Sequence, residues 1–181
     1  NVNRLRARLV ARGFTQEYGI DYFDTFSPVA RQVSIWIIFA IGLSRKWIFR
    51  VVDISAAYLY STLDEKIYLS IPEGMTLPSD APPNPVLLLH KSIYGLKQAG
   101  RNWNKLLCKF LQEHGFKSLA SDACVCMHDS GKLVLALHVD DILAIAENNE
   151  VFESFTQTIS STFKARPSHV QSFLGNTIVQ L

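Results

Sequence analysis

The sequence predicts an α+β fold with a mainly antiparallel sheet and packed helices. Short apolar runs rich in Val, Leu and Ile are typical of buried strands, as in "LVLALHVDDILAIA" at 133–146. A longer segment at 98–114 follows the period of an amphipathic helix. The chain has 181 residues, of which 48% are hydrophobic, so it can bury the core of one globular domain.

In the first half of the chain, Arg alternates with apolar residues near 4–13, which predicts a basic strand pair. We predict a helix near 31–45. The apolar stretches "WIFRVVD", "KIYLSI" and "VLLLH" predict strands at 47–53, 66–71 and 86–90. The stretch "PSDAPPNP" between the last two strands predicts an exposed loop.

The second half begins with a long helix near 98–114. Its polar and basic face carries Gln98, Arg101, Lys105, Lys109 and Gln112. Its apolar face carries Ala99, Trp103, Leu106, Phe110 and Leu111. We then predict a hairpin from about 123 to 139, its partner strand at 142–146, a helix near 149–163 and a final strand from about 172.

The net charge of +2 is unevenly distributed along the chain. Arg4, Arg6, Arg8 and Arg12 lie in one segment without an acidic residue, and the strand period places the first three on one face. Such a face could bind phosphate groups, or it could belong to an edge strand that charge protects from further pairing. The sequence leaves both interpretations open.

The three cysteines, Cys108, Cys124 and Cys126, are an odd and small set, which favours a reducing compartment over a disulfide framework. Cys124, Cys126 and His128 alternate along one strand face and raise the hypothesis of a zinc site. The hairpin would place His138 on the opposite face, which leaves a fourth ligand missing. Buried, unreactive thiols are therefore the favoured interpretation.

No apolar run approaches the roughly 18 residues of a membrane span, and no signal peptide is recognisable. We therefore expect a cytoplasmic protein without a membrane partner. The sequence starts at Asn1 and ends with "FLGNTIVQL", which resembles an interrupted strand. We expect the chain to be a fragment of a longer protein.

Two adjacent carboxylates, Asp140 and Asp141, interrupt an apolar run, where unpaired charges are costly. Asp53 ends another apolar strand, so the three acids can be neighbours if both strands belong to one sheet. Mg²⁺ takes carboxylate oxygens as ligands, and two such ions can clamp a phosphoryl transfer. The alternative is a solvated Asp-Asp turn without a ligand.

Five stretches, taken together and in order, resemble the reverse transcriptase domain of Ty1/copia-type LTR retrotransposons. They are "ARLVARGFTQEYGIDYFDTFSPVAR", "VVDISAAYLYSTLDEKIYLSIPEG", "KSIYGLKQAGRNWNKLL", "LHVDDILAIA" and "FLGNTI". The resemblance implies a right-hand polymerase palm with part of the fingers. Residues 1–181 would then be a domain truncated at both ends, with a fingers portion at about 1–46. Residues 47–181 would be mainly palm, with intervening fingers segments.

The resemblance also implies site residues by position. Asp53, Asp140 and Asp141 would be the catalytic acids and would hold two Mg²⁺ ions, with the backbone of Ile54 nearby; Mn²⁺ could substitute. Tyr58 would exclude the 2′-hydroxyl of a ribonucleotide, although an ordinary core tyrosine would suit the sequence as well.

Nucleotide binding is further implied for Gln98, whose alternative role is to begin the helix. Arg6 and Arg8 are the candidates for the triphosphate, because a guanidinium binds phosphate oxygens in pairs. Template and primer contacts are implied for Gly95, Arg101 and Lys105.

The sequence departs from the family pattern at three places. His138 stands where the family usually has Tyr before "VDD". Pro167 and His169 occupy a segment that usually contains Met-x-Asp-Leu, which weakens Lys164 as the residue that protonates the pyrophosphate. The upstream fingers and most of the thumb lie outside the sequence.

The function implied is an RNA-directed DNA polymerase that transfers dNMP to a primer 3′-hydroxyl by a two-metal mechanism. Its partners would be an RNA or DNA template-primer, deoxynucleoside triphosphates and the RNase H and integrase domains of the polyprotein. An active element would carry it in a cytoplasmic virus-like particle. The alternative is a catalytically inactive relic or fragment that keeps the palm fold and binds nucleic acid non-specifically.

Overall fold

The structure, a computed structural model, describes residues 7–170, 172–173 and 176–177. Within these residues it combines three α-helices with mainly antiparallel strands, which confirms the predicted α+β class. The chain divides into two units. The first contains the described residues up to Phe26 together with Tyr58–Trp103; the second contains Ser27–Ala57 and the described residues from Asn104 onward.

The helices are α1 (Gln32–Ser44), α2 (Ala99–Glu113) and α3 (Asn149–Ser160). The first five strands of the described residues are β1 (Ile48–Ile54), β2 (Thr62–Ser70), β3 (Val86–Lys91), β4 (Phe116–Leu119) and β5 (Asp122–His128). The others are β6 (Leu133–His138), β7 (Asp141–Ala146), β8 (Ala165–His169), β9 (Ser172–Phe173) and β10 (Asn176–Thr177). None of the helices in this part of the chain has the length and apolar character that crossing a bilayer requires.

The second unit is built on a six-stranded sheet in the order β4-β5-β6-β7-β1-β8, with every neighbouring pair antiparallel. Residues 142–146 of β7 are at most 1% exposed. A strand that is covered on both faces is continuously apolar, which is why the sequence predicted this strand correctly. α3 buries Phe152, Phe155 and Ile159, and the side chain of Asn148 caps its first turn.

The first unit contains the antiparallel pair β2–β3 and a small core of its own. The buried members of this core are Ala11, Ile67, Ile93, Leu96 and Ala99. Tyr58 is among the partly buried side chains that pack against it. This unit therefore has its own apolar cluster, to which residues from three separate chain segments contribute.

The predicted basic strand pair near 4–13 is wrong where the structure describes it. Of residues 7–13, Val10 forms an isolated bridge to Tyr94, and a 3₁₀ helix begins at Gly13. The backbone N–H of Ala11 donates to the carbonyl oxygen of Tyr94 at 2.8 Å, so this segment pairs with a loop rather than with a strand. Residues 4–6 lie outside the described part of the chain.

The polar face predicted for the long helix is correct for Lys105, Lys109 and Gln112, which are exposed. It is wrong for Gln98, which precedes α2 and is 3% exposed. Helical periodicity could not show this, because the burial of Gln98 comes from the segment at 16–21 that hydrogen-bonds to it.

Two strands of the large sheet were not predicted. β4 has four residues, of which two are polar, and β8 contains Pro167, a residue that is rare inside strands. β8 is tolerated because it is an edge strand that pairs with β1 alone among the described strands. A missing N–H on its open side breaks no ladder bond.

Candidate active site

The three predicted catalytic acids lie near one end of the sheet in the second unit. The register of β1 and β7 pairs Asp53 with Asp141. Asp140 directly precedes β7, and its carbonyl oxygen accepts a 2.8 Å hydrogen bond from the N–H of Ile54. All three acids are half-buried. The prediction that the strands carrying them belong to one sheet is therefore confirmed.

A tight turn of Val139 and Asp140 joins β6 to β7. Val139 has a φ of 54°, a left-handed conformation that costs a β-branched residue about 1–3 kcal/mol. The paired strands on both sides of the turn hold this conformation in place. Nothing in the apolar run indicated it, because Val is typical of extended backbone.

The acids repel one another. Burial raises the pKa of Asp141 above its ordinary value, and the charges of Asp140 and Asp53 raise it further, while His138 opposes the shift. A cation beside these groups would relieve the repulsion. The donor set, carboxylates at a sheet edge, matches the hard oxygen ligands that Mg²⁺ prefers.

The side chains of the three acids are not arranged as a preformed metal site. Within the described residues, no group of three or more His, Cys, Asp or Glu side chains is arranged to hold a metal ion. The chemistry of the acids therefore fits a divalent cation, and binding one would require their carboxylates to turn toward a common point.

The register extends the acid pair into a row across four strands. Arg166 of β8 pairs with Asp53, and His138 of β6 pairs with Asp141. Directly paired residues present their side chains on the same face, so a guanidinium and an imidazole flank the acids. Arg166 is exposed and makes no ion pair with a described residue. Sequence reasoning missed Arg166 because its strand was not recognised.

His138 lies beside Asp141 across the sheet. Its Nδ1 is buried and has no hydrogen-bond partner among the described residues. Its ring lies edge-on to Phe173, with ring centroids 6.5 Å apart. Lys164 is exposed, and its carbonyl oxygen accepts a 3.0 Å hydrogen bond from the N–H of Ser55, just beyond β1. A role for Lys164 in proton transfer stays a prediction.

We predict that Asp141→Asn stabilises the fold in metal-free buffer by roughly 0.5 kcal/mol, the scale of a cross-strand charge pair. A raised pKa means that the folded chain binds this proton more tightly than the unfolded chain. Wild-type stability should therefore increase as the pH falls through the folded pKa and be lost as the pH rises above it.

Urea unfolding across a pH series measures both effects, with Asp80→Asn, in an exposed loop, as the matched control. The Asp141 variant should lack this part of the pH dependence. A variant less stable than the wild type at neutral pH would contradict the prediction.

In the first unit, Tyr94 contacts both Arg8 and Tyr58. The guanidinium carbon of Arg8 lies 5.6 Å from the ring centroid of Tyr94. The ring of Tyr94 meets that of Tyr58 at 61°, with centroids 4.9 Å apart. Tyr58 is half-buried, so its position suits both a core tyrosine and a side chain that contacts a ligand. Arg6 lies outside the described residues.

Gly95 lies where two chain segments cross. It has a φ of 91°, and a Cβ at this position would overlap the carbonyl oxygen of Ala11. A Cβ at Gly13 would likewise overlap the carbonyl oxygen of Gly95. Gly95 therefore makes a close approach to the protein's own backbone, and its contact with the template stays a prediction.

Gln98 is held by hydrogen bonds at both ends of its amide. Its Nε2 donates to the carbonyl oxygen of Asp21 at 2.8 Å, and its Oε1 accepts from Nε2 of Gln16 at 3.0 Å. Oε1 of Gln16 in turn accepts from the N–H of Lys97 at 2.8 Å. These contacts tie Gln98 to the segment at 16–21, and its carbonyl oxygen accepts a 3.0 Å hydrogen bond from the N–H of Asn102 at the start of α2. Its role in nucleotide binding stays a prediction.

The two basic residues predicted to contact the template differ in their surroundings. Arg101 is half-buried and its Nε forms a 2.8 Å ion pair with Asp24. Lys105 is exposed. A phosphate would have to compete with Asp24 for Arg101, whereas Lys105 is open to solvent.

The thiols behave as the sequence indicated. Cys124 and Cys126 are buried, and burial raises the pKa of Cys124 to about 12 and that of Cys108 to about 11. Thiols of this kind stay protonated at neutral pH and are poor nucleophiles. Cys126 pairs with Leu135, so His138 lies on the opposite face from the cysteines, as predicted.

Comparison with known proteins identifies a family that matches this chain. The model of the family described as "Reverse transcriptase (RNA-dependent DNA polymerase)" matches residues 1–181. The chain is 36% identical over 178 residues to the retrovirus-related Pol polyprotein from transposon RE1 of Arabidopsis thaliana, covering 97% of this chain and 12% of the polyprotein.

Two further relatives show the same relation. The Pol polyprotein from transposon TNT 1-94 of Nicotiana tabacum is 33% identical over 98% of this chain and 14% of its own length. The transposon Ty1-DR4 Gag-Pol polyprotein of Saccharomyces cerevisiae is 30% identical over 79% of this chain and 8% of its own length. The chain thus spans a small part of the curated relatives that it matches.

Proposed function

Since the chain belongs to the reverse transcriptase (RNA-dependent DNA polymerase) family, we propose that it carries the nucleotidyl-transfer centre of an RNA-directed DNA polymerase. In this reaction a primer 3′-hydroxyl attacks the α-phosphate of a deoxynucleoside triphosphate and pyrophosphate leaves. The observation that supports the proposal most directly is the pairing of Asp53 with Asp141 beside Asp140.

In this proposal Asp53, Asp140 and Asp141 hold two Mg²⁺ ions, together with the backbone carbonyl of Ile54, and Mn²⁺ can substitute. The bound ions supply charge neutralisation and activation of the attacking hydroxyl. The acids' contribution is mutual repulsion before the ions bind, which favours cation binding at this end of the sheet. The bond from Ile54 to the carbonyl of Asp140 keeps the turn against the end of β1.

We assign the palm mainly to residues 47–181, with intervening fingers segments, and a fingers portion to about residues 1–46. The position of the acids on the large antiparallel sheet supports this assignment for the palm. The partners proposed are an RNA or DNA template-primer, deoxynucleoside triphosphates and the RNase H and integrase domains of a polyprotein. An active element would carry the enzyme in a cytoplasmic virus-like particle.

The test is primer extension on poly(rA)/oligo(dT) with Mg²⁺, using the chain extended at both ends with its natural flanking sequence. DNA synthesis that depends on both the template and the divalent ion is the expected result. Absence of synthesis in the extended chain would overturn the proposal.

A second candidate is an inactive relic that keeps the fold and binds nucleic acid non-specifically. The observation that favours it is His138, a departure from the family pattern that pairs with Asp141 across the sheet. The same assay separates the two candidates. A relic would bind template-primer in a strongly salt-dependent way and would not extend it.

Sugar selection gives a separate prediction, since Tyr58 is proposed to exclude the 2′-hydroxyl. Tyr58→Ala should raise ribonucleotide incorporation relative to deoxynucleotide incorporation by about tenfold or more, the scale on which pocket packing discriminates. Steady-state incorporation of each nucleotide measures the ratio. Tyr60→Ala is the matched control, because it removes a nearby tyrosine ring that contacts Trp103 and has no proposed role in sugar selection. An unchanged ratio in a folded Tyr58→Ala variant would return Tyr58 to a purely structural role.

A further inference from the structure

Tyr94 contacts two residues of the proposed nucleotide site. Its ring centroid lies 4.9 Å from that of Tyr58 and 5.6 Å from the guanidinium carbon of Arg8. We infer that Tyr94 is a positioning residue that fixes both groups and thereby sets sugar selectivity and triphosphate affinity. The inference rests on the proposed function, which gives Tyr58 and Arg8 their roles.

Tyr94 is itself held firmly at its backbone. Its carbonyl oxygen accepts the 2.8 Å hydrogen bond from Ala11, and the neighbouring residues Ile93 and Leu96 are 7% and 6% exposed. Gly95 follows in a backbone conformation that a side chain would not permit. A tyrosine side chain has two rotatable bonds, so a fixed backbone limits its ring to a few staggered positions.

The contact matters for Tyr58 because a residue that excludes a hydroxyl must keep its ring in place. The N–H and the hydroxyl of Ser61 bond the carbonyl oxygen of Tyr58 at 3.2 and 3.0 Å, which holds its backbone. Those bonds act on the backbone. The edge contact with Tyr94 acts on the ring itself, in addition to the packing of Tyr58 against the small core, and such ring pairs contribute beyond their buried area.

The contact matters for Arg8 because the segment around it has little structure of its own. Arg8 is exposed, lies outside every described strand and makes no ion pair with a described residue. A long free side chain loses rotamer entropy when it binds a phosphate. The ring of Tyr94 restrains the guanidinium beforehand through a cation–π contact and reduces that loss.

The test uses the extended, active chain with Tyr94→Leu, which removes the ring, and Tyr94→Phe, which keeps it. Tyr60→Leu is the matched control, since it removes an aromatic ring whose contact is with Trp103. In Tyr94→Leu, discrimination against ribonucleotides should fall about tenfold and the KM for deoxynucleotides should rise. Tyr94→Phe and Tyr60→Leu should keep wild-type values to within about twofold.

A double-variant cycle isolates the Arg8 contact. Arg8→Ala should raise the deoxynucleotide KM without changing the sugar ratio. The double variant Arg8→Ala/Tyr94→Leu should raise KM by less than the product of the two single effects. The difference should be about two- to fivefold, the equivalent of one exposed cation–π contact. Fully multiplicative effects would overturn the part of the inference that concerns Arg8.

If the extended wild-type chain synthesises DNA and Tyr94→Leu does not change the sugar ratio, the inference is overturned and the proposed function stands. A wild-type chain that synthesises no DNA would overturn the proposed function instead. A readout without activity then decides the inference: nitration of Tyr58 by tetranitromethane, followed by mass spectrometry. Nitration should increase in Tyr94→Leu and not in Tyr94→Phe, and equal nitration would overturn the inference. Tyr94→Met replaces the Leu variant if the latter does not fold.

Discussion

Asp140→Asn and Asp53→Asn should each abolish primer extension by the extended chain, with a loss of at least about 10³-fold. This is the upper end of what one lost electrostatic contact to a transition state costs. Each change removes one of the carboxylates that are proposed to bind the metal ions. Asp141→Asn should have an equal or a milder effect. Primer extension with saturating Mg²⁺ measures all three variants.

We do not expect loss of folding to cause this result, because the three acids lie close together and removing one charge reduces the repulsion on Asp141. Thermal unfolding of each variant checks the point, and all three should unfold at or above the wild-type temperature. Asp80→Asn, on an exposed loop, is the matched control and should keep wild-type activity. Retained activity in Asp140→Asn would remove the two-metal interpretation.

Gly95→Ala should destabilise the fold by about 3 kcal/mol or more, among the largest effects of a single substitution. Two costs add at this position. Its φ of 91° is unfavourable for any side chain, and a new Cβ would overlap the backbone carbonyl of Ala11, which cannot move aside as a flexible side chain would. Urea unfolding measures the loss.

Gly74 separates the two costs. It also has a positive φ, 82°, but a Cβ there would meet nothing within 4 Å. Gly74→Ala should therefore cost about 1 kcal/mol, the conformational part alone. Equal losses in the two variants would show that the crossing of the two segments is looser than the structure has it.

Local patterns in the sequence predicted four of the six strands of the large sheet and placed the three acids at strand ends. β7 is buried on both faces, and β1 has buried apolar residues on each of its faces, so both strands are recognisable without any partner. Charged residues inside or at the end of such a run stand out because burial would penalise them. This is why Asp53, Asp140 and Asp141 were recognised, and why a shared sheet could be expected for the strands that carry them.

Other features arise from contacts between distant segments, which only the folded chain brings together. The segment near Arg8 alternates like a strand, yet it pairs with a loop. The backbone N–H of Ala11 in this segment donates a hydrogen bond to the carbonyl oxygen of Tyr94. Gln98 has the period of an exposed position and is buried because Gln16 and Asp21 bond its amide. These partners are distant in the sequence, so a local pattern does not reveal them.

The same reason applies to the row of Arg166, Asp53, Asp141 and His138. Its members are brought together by the register of four strands, and register depends on which strands become neighbours. β8 escaped recognition because Pro167 is unfavourable in a strand unless that strand lies at an edge. An edge position is a property of the assembled sheet, and a local stretch of sequence does not contain it.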